Sequence, residues 1–259
     1  MARVAKTGLA KVAWRLSRLV PLAGWLGALL GCSSAPVDDA QAAAGGAGSG
    51  APSGAMSRPC SATLKQVLSL VDGVSTANVA ILSESSGERT LFVDAVAGGL
   101  DAKDKYPWVY VSLSTGQAVG LTDPQALTST AWDLAFKRNL IRTNSGDSGP
   151  GHGGAIRIAL AWDRVDRSTL GDKTLPIENW FDANCMLELG DTGEIITTFN
   201  SWDEYDEATH VLTPADAVYI TAAADGTLYK LAILDYYSTP TGGHGSTAAR
   251  FKLRVAPLE

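Results

Sequence analysis

The sequence predicts an all-β domain of two packed, largely antiparallel sheets, with short helices in the connections. Three observations carry this. From Ala77 onward, apolar and β-branched residues recur in short runs, several of them alternating with period two. Polar turns rich in Gly, Ser and Asp separate those runs, Ala224-Asp225-Gly226-Thr227 being the strongest hairpin signal. Regular strand–helix alternation, which would build a doubly wound parallel sheet, does not occur.

The first 31 residues read as an address. They carry Arg3, Lys6, Lys11, Arg15 and Arg18 and no acid, followed by an apolar run from Leu19 to Leu30 that Pro21 interrupts. That run is too short to span a bilayer comfortably. Its end, Leu29-Leu30-Gly31-Cys32, resembles a bacterial lipoprotein signal, in which cleavage precedes the cysteine and Cys32 receives the lipid. The alternative is an ordinary secretory signal with a cysteine there by chance. Ser33 after the cysteine fits an outer-membrane destination. Residues 32–59 are then the anchor cysteine and a linker dominated by Ala, Gly, Ser and Pro, unable to bury enough apolar surface to offset ordering entropy. Residues 60–259 are long enough for one domain with its own core.

Charge excludes one class of partner. The chain holds 21 basic and 27 acidic residues; without the five signal cations, 16 basic residues face 27 acidic ones, a net charge of −11. Nucleic acid demands clustered Lys and Arg, and no segment after the signal supplies them. With Cys32 lipidated, Cys60 and Cys185 remain in an exported compartment, where they either form a disulfide or stay as two thiols.

The strands follow in order. Ala77–Leu82 and Thr90–Val96 flank the turn Ser83–Glu88, and Trp108–Leu113 alternates cleanly. The central stretch, Trp132 to Ala155, opens as a strand with Trp132, Leu134 and Phe136 on one face and Asp133, Ala135 and Lys137 on the other. After Thr143 it becomes a loop with five glycines and His152, where part of a binding site is expected. Ile156, Ile158 and Leu160 share a strand face; Val218–Thr221 and Leu228–Tyr236 flank the Asp-Gly turn. Arg250–Val255 places Phe251, Leu253 and Val255 inward. Val165–Leu170 and Asn179–Leu189 are the candidate short helices.

Two blocks, WDLAFKRNLIRTNSGDSGPGHGGA and YITAAADGTLYKLAILDYY, resemble the HmuY-type family of bacterial haem-binding lipoproteins. The matching residues are Trp132, Asp133, Phe136, Arg142, Thr143, Asn144 and Gly146, then Tyr219, Asp225, Gly226, Tyr229, Lys230, Leu231, Tyr236 and Tyr237. The resemblance covers about Trp108 to Val255. It implies a two-sheet β fold and extracellular haem capture, with two axial side chains, histidines in some members and methionines in others. Candidates here are His152, Met186, His210 and His244. His152 is preferred for its glycine-rich loop, and Met186 for the opposite face because it follows in the next compact segment. Haem iron accepts imidazole nitrogen or thioether sulfur, and the porphyrin needs an apolar slot. Trp108, Trp132, Trp162, Trp180 and Trp202 could wall such a slot or belong to the core.

Catalytic signatures are missing. Gly146-Asp147-Ser148-Gly149 looks like the nucleophile segment of chymotrypsin-like proteases, but no histidine precedes Ser148 to serve as base in that chain order. The acidic cluster Asp203, Glu204, Asp206 and Glu207 lacks the glycine-punctuated spacing of a calcium loop. No metal other than haem iron is expected. The sequence therefore reads as a lipid-anchored, non-enzymatic envelope protein that binds haem, with a membrane attachment and an outer-membrane haem receptor as partners. The alternative is a structural or adhesive surface module, carbohydrate-binding or not, that keeps the fold without haem.

Overall fold

The computed structural model describes residues 60–190 and 193–259, with Ser61 and Ala62 described for their backbone alone. The signal segment 1–31, Cys32 and the linker up to residue 59 lie outside the described residues. The described chain opens with helix α1, Ser61–Val67. Strands β1 (Val79–Ser85) and β2 (Glu88–Asp94) form a hairpin, followed by β3 (Val109–Ser112), the two-residue β4 (Gln117–Ala118) and the short helix α2 (Asp123–Ala126). Then come β5 (Leu134–Lys137), β6 (Leu140–Thr143), β7 (Gly154–Ile158) and α3 (Arg167–Leu170). The chain closes with β8 (Asp203–Asp206), β9 (Val211–Pro214), β10 (Val218–Ala222), β11 (Leu228–Asp235) and β12 (Arg250–Pro257).

The described residues form three antiparallel sheets. The largest has the order β1-β2-β12-β11-β10-β7, the second β4-β3-β5-β6, and β8 pairs with β9 alone. Leu91, Val93, Leu231, Phe251, Leu253 and Val255 of the large sheet pack against Val109, Val111, Leu134 and Phe136 of the second. Two sheets meeting face to face across interdigitated side chains are the predicted architecture.

The other face of the second sheet is covered too. Trp108, Tyr110 and Ala135 bury themselves with Leu64 and Leu68 of α1, Ala126 of α2, and Trp180 and Phe181. This double burial is why Asp133 and Lys137, read from the sequence as the other face of a strand, are 7% and 4% exposed. Cys60 and Cys185, Cα atoms 5.3 Å apart, form a disulfide that holds this cover to the start of α1.

Several local expectations are corrected. The strand from Trp132 to Thr143 is a hairpin, because Arg138 takes a left-handed φ of 55° and turns the chain between β5 and β6. Trp132 precedes β5 and packs with Ala135 rather than with Leu134 and Phe136. The segment Asn179–Leu189 is not helical; it folds back on itself through Phe181 opposite Leu187. Trp180, Phe181 and Leu187 are held by the cover layer, while Met186 and Leu189 are exposed, so its apolar residues follow no helical period. Asp203, Glu204 and Asp206 of the acidic cluster lie on β8.

Candidate functional site

The glycine-rich loop after β6 is folded into the protein rather than open for a ligand. Asn144 is its staple. Its Nδ2 donates to the carbonyls of Ser129 (2.9 Å) and Trp132 (2.7 Å), and its Oδ1 accepts from Gly151 N (3.0 Å). The glycines exist for this approach: a Cβ on Gly149 would stand 1.9 Å from Asn144 Oδ1, and one on Gly146 2.0 Å from the Glu178 carbonyl. Asp133 ties the two sheets together, accepting from Leu113 N (2.6 Å) and Ala224 N (2.8 Å), and burial raises its carboxyl above the usual range. Ser148, buried, accepts from Arg142 Nη1 at 2.6 Å through its hydroxyl. That is a structural task.

Most of the residues shared with the family motif, from Trp132, Asp133 and Phe136 to Tyr219, Leu231 and Tyr236, therefore build the core. Arg142 is fully buried, its guanidinium 4.5 Å from the Trp108 ring and 4.9 Å from the Trp132 ring. Glu178 is equally buried, accepting from Thr143 N (2.8 Å), Thr198 Oγ1 (2.9 Å) and Thr198 N (3.2 Å). Burial pushes its carboxyl upward, and those donors oppose the shift. Four of the five tryptophans considered as slot walls, Trp108, Trp132, Trp180 and Trp202, are core residues. Trp162 lies half-buried, with the Arg254 guanidinium 4.2 Å from its ring.

The four candidate iron ligands are all exposed, but they lie in different places. His152 projects from the glycine loop beside the β10–β11 turn, its backbone N–H donating to the Ala224 carbonyl at 2.8 Å. Met186, 67% exposed, follows the disulfide-bonded Cys185, and its N–H donates to Asp182 Oδ1 at 2.8 Å. His244 meets the Asp235 carboxylate at the far end of β11, Nδ1 to Oδ2 3.0 Å. The seven residue steps from Leu228 to Asp235 span about 20 Å, so His152 and His244 cannot share an iron.

His210 and His244 do lie at one end. His210 closes the β8–β9 hairpin at a left-handed φ of 56°, and its Nδ1 meets the Tyr205 hydroxyl at 2.5 Å. β9 packs against β11, and Leu212, two residues after His210, donates its N–H to the Tyr237 hydroxyl at 3.2 Å. The Tyr237 ring in turn meets the His244 ring edge-on, centroids 5.8 Å apart. Tyr205, Val211 and Leu234 on these segments are 55%, 40% and 47% exposed, leaving apolar surface on β8, β9 and β11. Lys252 Nζ donates to the Gly242 carbonyl at 2.9 Å, which adds a cation to the His244 loop.

Comparison with known proteins places these segments in a family. The family model for HmuY protein matches residues 104–249, more than half of the 259. The chain belongs to the HmuY family.

Among solved structures, the chain is similar to a candidate HmuY-like haem-binding protein from Bacteroides vulgatus, at 14% identity and TM-score 0.44, covering 70% of this chain and all of that one (100%). It is similar also to a candidate lipoprotein from Bacteroides fragilis, at 18% identity and TM-score 0.42, covering 69% and 94%. The apo HmuY analog of Tannerella forsythia matches at 16% identity and TM-score 0.38, covering 72% and 100%. No curated protein matches.

The HmuY span contains both the core-building motif and all four candidate ligands. Sequence reasoning did not connect Tyr205, Tyr237 and Asp235 with the histidines they contact. Tyr237 was visible as half of the Tyr-Tyr pair, but nothing local joined it to a histidine seven residues later. Tyr205 was read within an acidic run, though Tyr205 and Leu212 are opposite each other across the β8–β9 ladder.

Proposed function

We propose that this chain is a lipid-anchored, non-enzymatic haem-binding protein of the bacterial envelope, with His210 and His244 as the axial pair. One observation carries the reading: two exposed imidazoles stand at the same end of the domain, each with Nδ1 already engaged. Asp235 accepts from His244 Nδ1, and Tyr205 can accept from His210 Nδ1, so each Nε2 keeps its lone pair for a metal. A carboxylate behind the coordinating histidine is the arrangement that orients metal-bound imidazole and strengthens its basicity. The residues therefore fit haem. Bound haem supplies the iron that takes two nitrogens and the porphyrin that takes apolar contact. Tyr205, Val211 and Leu234 offer that contact, and Lys252 a charge for a propionate.

Family membership supports the same reading, as does the lipoprotein-like segment ending at Cys32. The proposed domains are the signal 1–31, the anchor and linker 32–59, and the haem-binding domain 60–259. A receptor in the outer membrane is the proposed recipient.

Hemin titration followed by absorbance tests the reading on the wild type and on His210→Ala, His244→Ala, His152→Ala and Met186→Ala. A saturable Soret band weakened about tenfold or more by each of the first two variants, and unmoved by the last two, is expected. Sensitivity to His152 and Met186 instead would move the site. Absence of a saturable band in the wild type would leave a structural or adhesive envelope module. Cys32→Ser should release the protein from the membrane fraction.

A further inference from the structure

We propose that Tyr237 is the positioning residue that couples the two histidine-bearing loops, setting the spacing of His210 and His244; this rests on the haem reading above. The β8–β9 ladder belongs to neither large sheet, and two strands alone are marginally stable in water. Something must fix its edge against β11. Leu212 packs its side chain on the core, but its N–H leaves the ladder and donates to the Tyr237 hydroxyl at 3.2 Å. Through that bond the strand following His210 is registered to the end of β11.

The same tyrosine touches the other loop. Its ring meets His244 edge-on at 5.8 Å and is braced by Tyr236 at 5.2 Å. Its backbone N–H donates to Asp235 Oδ1 at 2.9 Å, and that carboxylate also holds His244 Nδ1 at 3.0 and 3.1 Å. Asp235 thus aligns both the clasp and one ligand. A tyrosine suits the task because its rigid ring carries an apolar face for one loop and a hydroxyl for the other.

The experiment uses the full chain, with Tyr237→Phe keeping the ring and removing the hydroxyl, and Tyr237→Ala removing both. Hydrogen exchange at Leu212 reads the clasp without haem. Hemin titration reads its consequence, and the absorption spectrum reads how many axial ligands remain. In Tyr237→Phe, exchange at Leu212 should accelerate and hemin affinity fall about three- to tenfold, the effect of one lost hydrogen bond. In Tyr237→Ala the spectrum should shift from six- towards five-coordinate iron while thermal unfolding of the domain stays cooperative. Exchange and affinity both at wild-type values in Tyr237→Phe overturn the coupling, as does faster exchange with unchanged affinity. Wild type that binds through both histidines while Tyr237→Phe matches it removes the coupling alone. Wild type with no Soret band removes the haem reading and the positioning role with it.

Discussion

Arg142 and Asp123, opposite charges at 0% exposure, are joined through the Tyr110 hydroxyl rather than to each other. That hydroxyl accepts from Arg142 Nη2 at 3.0 Å and donates to Asp123 Oδ1 at 2.9 Å. Asp123 also accepts from Val71 N and Trp108 N, so one carboxylate fastens the segment after α1, the start of β3 and the buried cation. Burial raises the Tyr110 phenol far above its ordinary range, which keeps it a donor at any physiological pH.

Tyr110→Phe therefore leaves a buried guanidinium without one acceptor and a buried carboxylate without one donor. It should cost about 2–4 kcal/mol, the scale for breaking charge-assisted buried bonds. Urea unfolding measures this, and a loss under about 1 kcal/mol would mean that Arg142 is held by its aromatic stack and Ser148 alone. Arg142→Lys should not substitute for the arginine, because an ammonium cannot lie flat between Trp108 and Trp132.

Trp132→Ala should destabilise by about 3–5 kcal/mol, the usual range for emptying a large aromatic site. The indole is fully buried, donates Nε1 to the Ala126 carbonyl at 2.8 Å and packs edge-on to Tyr110. Its loss would open a hole beneath both Arg142 and α2. Thermal or urea unfolding of the variant gives the number.

Gly149→Ala isolates the steric demand of the loop. The new methyl would stand 1.9 Å from Asn144 Oδ1 and 2.9 Å from Trp132, so either the staple or the turn must shift. A loss of about 1–3 kcal/mol is expected, as for overpacked cores. Gly73→Ala, whose nearest neighbour would be Val71 at 3.9 Å, is the matched control and should stay within about 0.5 kcal/mol. Equal effects at both positions would show that the loop yields freely.

Lys137 gives the protein an alkaline stability rise. Burial, the largest cause, lowers its ammonium to about 8, with Nζ donating to the Ser69 carbonyl at 3.1 Å. Unfolded, the lysine keeps its proton to about 10.4. From about pH 8 upward the unfolded chain binds more protons, so this group makes stability increase with pH until the unfolded lysine also titrates. Tyr219 and Tyr236, each pushed up to about 12 by burial, act oppositely above about pH 10. Unfolding curves from pH 7 to 10 should rise for wild type relative to Lys137→Met; parallel curves would show that Lys137 ionises as an exposed lysine.

Legibility in the sequence differs from element to element. Phe251, Leu253 and Val255 could be assigned inward because alternation along one strand is a local property of the pleat. The hairpin at Asp225-Gly226 was readable for the same reason, since Gly226 takes the left-handed φ of 87° that the dipeptide supplies. The break at Arg138 was not, because arginine carries no turn signal and is placed there by the pairing of Phe136 with Ile141. Helix α1 was missed since its apolar face is defined by Trp108 and Trp180, far away in the chain.

By itself the sequence determined that the chain makes antiparallel strands and, for Arg250–Val255, which face turns inward. It also determined that one loop must be glycine-rich, since all of this rests on neighbours within a few residues. Only the tertiary structure decided where that loop and the histidines stand. Asn144 ties the loop to Ser129 and Trp132, and Glu178 accepts from Thr143 N at its start, which packs an apparent binding loop against the core. His210 and His244, 34 positions apart, come to one end because β9 packs on β11 and Leu212 reaches Tyr237. Such a meeting depends on long-range sheet order, which no periodicity in the chain records.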